Sequence, residues 1–555
     1  MKNALRQPES VVCGIVLLFS LAFAAFTQHI WEDYWITFRA SLNLATGNGL
    51  VFTPGERLHT FTSPLGTILP AALSWLTGNH ADFVTLWLFR VISTATLATG
   101  MVIFFRTFQT LELKKISCWL TVALIGLDAK IVDFSINGME TGLLAFFLAL
   151  AINGLLIPGP RQIFRIGIGW AGLMWSRPDS CVYVAILGLG MMLFLPEKNP
   201  ETRRFQWGTK IILAGLCCAV LYLPWFIWAW SYYGTPVPHT IAAKGATHAP
   251  FSAAALAMDF VKFPALLLSP GESSKQIVFL PPYADHGGWP GELTAFVSLL
   301  GSVACFAWVV PWLRGTTKFF SLGFFLGNFY LTGVLNYFPP WYLPTVSVFG
   351  YLTLGNLFDE AFCLAEKWRQ RAARPVFFSS LVLLASLVAV ALVLGQLALT
   401  ASAAWQLRQQ QAIIEDGLRQ PIGLWLREHA RTPHDSVMLE PLGYIGYYSR
   451  LKMLDYPGLA SKEMVEARKR LGAARENQAY RELKPDWIVL RPNESRSGRY
   501  IDVAGLAECY ELVRTFDATE KINAIEWLPG RPYLQFDQTF LVYHRKAEIA
   551  PTAVK

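Results

Sequence analysis

Long apolar runs alternate with short charged loops along most of the chain. Runs near 11–28, 82–105, 116–135, 141–157, 166–176, 181–195, 211–230, 293–313, 319–335, 341–362 and 375–400 predict about eleven helices. Most are long enough to cross a hydrocarbon core about 30 Å thick. The fifth and sixth are short, with Ser176-Arg177-Pro178-Asp179 between them. That spacing predicts a broken pair whose polar break is lined by protein or water. Two stretches, 29–80 and 231–292, are too long for simple connectors and read as functional loops. From residue 401 the pattern changes. Helical periodicity over 404–430 and 461–480 mixes with short strand-like runs at Trp487-Ile488-Val489-Leu490 and Phe540-Leu541-Val542-Tyr543. This predicts an α-helical polytopic membrane part over 1–400 and a soluble α/β domain over 401–555.

Composition strengthens the membrane reading. The 555 residues are 53% hydrophobic and only 15% charged, against about 25% charged in soluble domains. The net charge of +8 does not point to nucleic acid, because Lys and Arg gather in short loops between apolar runs. Those loops hold Lys2 and Arg6, Lys114 and Lys115, Arg161 and Arg165, Lys198 to Lys210, Arg314 and Lys318, and Lys367 to Arg374. They alternate along the chain, as cytoplasmic loops do. With an odd number of spans, a cytoplasmic N-terminus puts 29–80, 231–292 and 401–555 on the opposite side. Ala22-Phe23-Ala24 has the small-residue form of a signal-peptidase site, but the segment runs straight into an ordered-looking loop, which favours a retained helix. Of eight cysteines, only Cys509 falls in the polar C-terminal part. No Cys/His spacing marks a zinc site.

In the first outer loop, Trp31, Trp35, Phe38, Leu42 and Ala45 recur three and four apart. This predicts an amphipathic helix on the membrane surface, ended by Gly47-Asn48-Gly49, and a second, interfacial helix over 64–77. Glu32 and Asp33 sit at the start of the first. Two adjacent acids there supply a general base or bind a divalent cation, or merely complement the helix dipole. Glu140, after Asn137-Gly138, is placed to join them. Asp128, Lys130 and Asp133 lie near the same level; such groups face a cavity or each other. Arg39, Arg57, Arg177 and Lys244 are the outer cations near apolar surface. A phosphate leaving group needs such charges, although snorkelling to headgroups also accounts for each. His59, His239, His248 and His286 are outside too, with no metal-ligand spacing. Asn336-Tyr337-Phe338-Pro339-Pro340-Trp341-Tyr342 reads as an aromatic interface belt.

Taken in order, several stretches resemble one family. "EDYWITFRASLNLATGNGLVFTPGERLHTFTSPLG" at 32–66, "NGMET" at 137–141, "SRPDS" at 176–180, "YYGTPVPHTIAAK" at 232–244 and "EPLGYIGYYSRLKMLDYPGLAS" at 440–461 are similar to motifs of GT-C-type glycosyltransferases. The nearest group resembles bacterial arabinofuranosyltransferases that use a polyprenyl-phosphate donor. The sequence departs from that group where Glu32 replaces an Asp, His59 an acid and His239 an Asn.

The resemblance implies an inverting transfer of a sugar, such as arabinofuranose, from a polyprenyl-phosphate donor. The acceptor would be an envelope glycan, lipid or protein at the periplasmic face of a bacterial inner membrane. Carried over by position, Asp33 is the base with Glu32 as its substitute. Arg39, Arg177, His239 and Lys244 meet the donor phosphate or sugar, and Glu140 orients the sugar. Some relatives of this superfold use a divalent cation and some do not, so the resemblance leaves a metal open; if Mg or Mn is present, Asp33 and Glu140 would be the ligands. The competing reading is a transporter or flippase with Asp128, Asp133 and Glu140 as an ion relay. No repeated halves support it.

Overall fold

The computed structural model describes residues 8–195, 200–245, 252–269, 274–335, 338–371, 375–497 and 501–546. Lys2, Arg6, Lys198, His248, Asn336, Tyr337 and Arg374 lie outside the described residues. The first half is helical: α1 (Pro8–Thr27), α2 (Glu32–Ala45), α3 (Pro64–Leu76), α4 (Asp82–Thr110), α5 (Lys115–Gly126), α6 (Ala129–Ile136), α7 (Thr141–Leu156), α8 (Gln162–Ser176) and α9 (Cys181–Phe194). There follow α10 (Pro200–Tyr233), α11 (His239–Gly245), α12 (Ala253–Leu268), α13 (Gly291–Phe306), α14 (Gly315–Phe329), α15 (Leu343–Arg371) and α16 (Pro375–Gln410).

Six helical stretches among the described residues are long and apolar enough to cross a membrane, or seven if the bent pair α6–α7 makes one span. The eleven runs of the sequence do not all become full-length helices. The run 116–135 breaks at Asp128, whose carboxylate caps α6 by accepting from the N–H groups of Lys130 and Ile131. A side chain that satisfies these N-terminal donors starts a new helix instead of continuing the old one. After Asn137 the chain bends by 117° into α7. The break predicted at 176–179 is present, as a single 3-10 turn between α8 and α9.

The last apolar run does not stop at 400. α16 passes through a π-helical stretch, Gln411–Arg419, into α17 (Gln420–His429). Nothing between 400 and 416 breaks a helix, so the membrane segment and the expected soluble helix are one continuous rod. Beyond it, α18 (Leu442–Ser449) and α19 (Lys462–Leu471) alternate with strands. The strands are β1 (Ser436–Leu439), β2 (Lys452–Asp455), β3 (Trp487–Leu490), β4 (Tyr510–Asp517) and β5 (Thr539–Arg545), in the order β2-β1-β3-β5-β4. β1 lies parallel to β2 and β3, and β5 pairs antiparallel with β3 and β4. Side chains alternate across the sheet. Val437 and Leu439 face Ile414, Leu418 and Ile422 of the rod, while Met438 joins Met464 and Ala467 of α19 on the other face.

The α2 segment and the turn after it are built into this sheet layer. Ile36 of α2 and Phe52 belong to the same core as Val437 and Ile422. Trp35 packs against Tyr444 and Tyr447 of α18 at 5.7 and 4.3 Å between ring centroids. This corrects the expectation of a membrane-surface helix. Trp31, Trp35 and Phe38 are at most 4% exposed, and protein rather than lipid covers the stripe. The turn after α2 follows its sequence: Gly47 and Gly49 have φ of 84° and 88°, a region that glycine enters without steric cost.

Candidate active site

The start of α2 is pinned from two sides. The Trp31 N–H donates to the Asn137 carbonyl at 2.9 Å. The Tyr34 ring lies on Gly138, which has φ of 100°, and a Cβ there would stand 2.4 Å from the ring. Only a glycine meets both demands. Behind this contact, Asp133 accepts from Asn137 Nδ2 at 2.9 Å and lies 2.8 Å from His29 Nδ1. Arg90 donates to the carbonyls of Ile136 and His29. From the other side, the Ile30 N–H donates to Gln411 Oε1 and the Gly443 N–H donates to Glu32 Oε1 at 3.1 Å. Asp33 is therefore fixed between the α6–α7 bend and the π-helical turn.

Two cavities meet at this point. The smaller, about 60 Å³, is lined by Asp33, Thr37, Ser63, Glu140, Arg177, Lys244, Trp341 and Tyr342 among others. The larger, about 300 Å³, is lined by Glu32, Asp33, Trp341, Glu415, Arg419, Glu440, Arg491 and Asp537 together with aromatic rings. Asp33 and Trp341 belong to both walls.

In the small chamber, Arg177 donates from Nη1 to Glu140 and from Nε to Asp179, each at 3.1 Å. Its guanidinium lies 4.1 Å from the centre of the Tyr342 ring. Ser63 caps α3 by accepting from the Gly66 N–H, which brings the start of that helix under Glu140. In the large chamber, Arg419 pairs with Glu32 at 3.0 Å, with Glu415, and with Asp537. Arg491 holds Asp537, Glu440 and Glu494. Burial pushes the Glu32 carboxyl up to about 8, with Arg419 pulling the other way. Burial also raises Asp33, offset in part by Lys244 and Arg177.

One carboxylate stands apart from its neighbours. Glu32, Glu140, Glu415, Glu440 and Asp537 are all held by an arginine. Among the described residues, the Asp33 side chain makes neither a hydrogen bond nor an ion pair. A carboxylate that is fixed in place by its backbone but not engaged by its side chain is equipped to accept a proton from a ligand.

Of the residues singled out by sequence, Asp33, Glu140, Arg177 and Lys244 line one chamber. Glu32 turns into the other. Arg39 lies elsewhere. It is 4% exposed and donates to the carbonyls of Gly446, Arg450 and Leu451, strapping α2 to the C-terminal part, so this correction removes it from the phosphate-facing set. His239 lines neither chamber; its N–H donates to the His59 carbonyl. His59 is buried against Tyr233 and Phe61, and burial pulls its ring down to about 3. Arg57 lies over the Tyr232 ring. Asp128 accepts from the Tyr351 hydroxyl, Lys130 donates to the Leu280 carbonyl and Asp133 accepts from Asn137.

The sequence reading did not single out Arg419, Arg491 and Asp537, and it quoted Glu440 only as the first residue of the 440–461 motif. The local signals were the charge pairs Glu415–Arg419 at i,i+4 and Arg491–Glu494 at i,i+3. Of the two carboxylates that would hold a cation if one is used, Glu140 pairs with Arg177. No group of three or more His, Cys, Asp or Glu comes together as a metal site among the described residues.

Comparison with known proteins places the architecture. ArnT from Cupriavidus metallidurans, solved bound to undecaprenyl phosphate, superposes over 97% of this chain and 98% of its own, with a TM-score of 0.50 at 12% identity. The chain has the ArnT fold. In sequence it is similar to two terminal β-(1→2)-arabinofuranosyltransferases. The one from Corynebacterium glutamicum is 28% identical over 256 residues, which are 41% of this chain and 35% of that protein. The one from Mycobacterium tuberculosis is 27% identical over 242 residues, 40% of this chain and 36% of that protein. The matched regions thus span about a third of those relatives. A family model described as a domain of unknown function, DUF8728, matches residues 404–543. The likeness read from the ordered motifs, to a GT-C arabinofuranosyltransferase-like protein, is the likeness these comparisons return.

Proposed function

We propose that the chain is an inverting glycosyltransferase that moves a pentofuranose from a polyprenyl-phosphate donor to an acceptor hydroxyl. The acceptor is an envelope glycan, lipid or protein on the periplasmic side of a bacterial inner membrane. In this reading the basic loops and the N-terminus are cytoplasmic, and the α/β part beyond the long last rod is periplasmic. The observation that carries it is the unengaged Asp33 carboxylate, set beside Lys244 and Arg177 in one chamber.

The donor phosphate sits against Lys244 and Arg177. The acceptor oxygen attacks the sugar C1 from the face opposite the phosphate. As the new C1–O bond forms, the acceptor proton passes to Asp33, the C1–O bond to phosphate breaks, and polyprenyl phosphate leaves with the electron pair. Lys244 and Arg177 stabilise the charge that gathers on the departing oxygens. Glu140 keeps Arg177 in place and accepts from a sugar hydroxyl. Asp33 is ionised for this step when the pH exceeds its raised pKa, so transfer falls as the pH drops through that value.

Asp33→Asn tests the reading. It should lower transfer by about 10²- to 10⁴-fold while the protein still inserts and melts as the parent does. Full activity would remove Asp33 as the base. Movement of lipid-linked sugar across proteoliposomes with no glycosidic product would replace the enzyme with a transporter.

A further inference from the structure

The C-terminal part meets the rod at a height that the helices themselves record. α1 is one of the stretches apolar enough to span a membrane, and it ends at Thr27. Phe23 and Ala24, near that end, share a buried cluster with Ala404 and Leu407 of α16. Arg408 donates from Nη1 to the Phe26 carbonyl at 2.9 Å. Residues 404–408 of the rod therefore lie beside the last turns of a membrane helix, and not beyond them.

One segment of the C-terminal part reaches down to the same height. Trp405 donates from Nε1 to the Trp527 carbonyl at 3.0 Å. Gly530 sits so close to Gln406 that a Cβ there would stand 2.7 Å from its side chain. Leu528, between these two contacts, is buried in the core against which Trp405 also packs. The backbone at 527–530 is thus fixed against residues 405 and 406. The Trp527 side chain stays outside that core and is 62% exposed. By itself an exposed tryptophan needs no explanation. Its height supplies one here, because an indole with an apolar body and one N–H prefers the headgroup level of a bilayer. Two further exposed rings stand near that level. Phe26 is at the end of α1, and Phe83 meets the ring of Trp87, which packs against the Phe23–Leu407 cluster.

We propose that the turn 524–530 is a membrane-contact site of the C-terminal part, with Trp527 seated among the headgroups and upper acyl chains. The partner is the lipid interface and not one lipid species. Arg408 and Lys521 are balanced by Glu520 and Glu526, all four exposed, so no net charge selects a headgroup. The contact reaches the candidate site through the chain itself. Gly530 leads directly into the short helix Arg531–Phe536. Tyr533 of that helix stacks on Tyr283 at 4.0 Å, and the next residue after it is Asp537, which bridges Arg419 and Arg491. Lipid at Trp527 therefore braces one wall of the larger chamber from the membrane side. The proposal rests on α1 and the rod spanning the membrane, and on nothing in the transfer reading.

The test is photolabelling of the full chain in lipid nanodiscs, with adducts located by peptide mass spectrometry. One phospholipid probe carries a diazirine beside its headgroup, and a second carries it at the end of an acyl chain. The headgroup probe should label residues 524–528, and the chain-end probe should label them far less. Leu424 is exposed as well, but it stands roughly 25 Å further along the rod and should remain unlabelled. Trp527→Glu should lose the label and still unfold as the parent does, because the ring lies outside the core. Labelling should be equal with and without anionic lipid. Absence of label at 524–528, or label shared equally with Leu424, overturns the proposal. So does label that appears only with anionic lipid, or a cross-link from this turn to a second copy of the chain in place of lipid.

Discussion

Two buried arginines flank Asp33, built alike and surrounded differently. Arg177 comes from the break between α8 and α9 and meets Glu140 and Asp179. Arg419 comes from the rod and meets Glu32, Glu415 and Asp537. Each is a buried cation compensated by acids, which is the condition for keeping such a charge out of water. The difference lies in what else the wall carries. Two cations, Arg177 and Lys244, and two acids line the small chamber. Two cations and five acids line the large one. A buried arginine is thus no phosphate site by itself. The balance of charge around it decides whether an anion is welcome, and in the proposed reading the phosphate goes to the chamber with Lys244, where acids do not outnumber cations.

The comparison breaks most visibly if the Arg419 side is not structural. Asp537 bridges Arg419 and Arg491, so Asp537→Ala leaves two buried guanidinium groups short of a partner. A loss of about 3–5 kcal/mol is expected, read from chemical unfolding followed by tryptophan fluorescence. Asp179→Ala, which touches Arg177 alone among the arginines, should cost less. Burial raises the Asp537 carboxyl, but Arg419 and Arg491 outweigh it and hold it below the ordinary value. Its contribution is therefore complete above the unfolded pKa, near 3.9, and is lost as the pH falls through the lower folded value. If Asp537→Ala melts like the parent, the contrast between the two arginines fails.

A second test sharpens the contrast from the side of the small chamber. Lys244→Gln should reduce kcat/KM for the lipid donor by about 10²- to 10³-fold. It should also move the acid limb of the pH profile upward, because Lys244 lowers the pKa of Asp33 and its removal leaves burial less opposed. A limb that stays in place would separate Lys244 from Asp33. The smallest expected effect concerns the seam. A Cβ on Gly443 would stand 2.1 Å from the Glu32 carbonyl oxygen. Gly443→Ala should therefore push α18 off α2 and lower stability by about 1–3 kcal/mol, measured as a fall in melting temperature.

Part of this was readable in the residues. The periodicity of 31–45 predicted α2, the glycines predicted its end, and Ser176-Arg177-Pro178-Asp179 predicted the break that delivers Arg177. The strand-like runs at 487–490 and 540–543 appear within β3 and β5. What periodicity could not reveal is what covers an apolar stripe. Lipid and a tyrosine-rich helix four hundred residues away satisfy the same pattern, and here Tyr444 and Tyr447 are the cover. For the same reason Arg39 read as a free outer cation, although the carbonyls that hold it belong to residues 446–451. The break at Asp128 was hidden because an N-cap within an apolar run leaves mean hydropathy nearly unchanged. The large chamber was the least legible. Glu32, Arg419, Glu440, Arg491 and Asp537 come from five separated segments, and only the fold brings them together.

The most direct measurement of the central claim is an experimental structure of the full chain with a polyprenyl phosphate bound. The account predicts the phosphate in the small chamber, in contact with Lys244 and within reach of Arg177, with Asp33 on the side facing the larger chamber. A phosphate seated against Arg419 and Arg491 instead would contradict it.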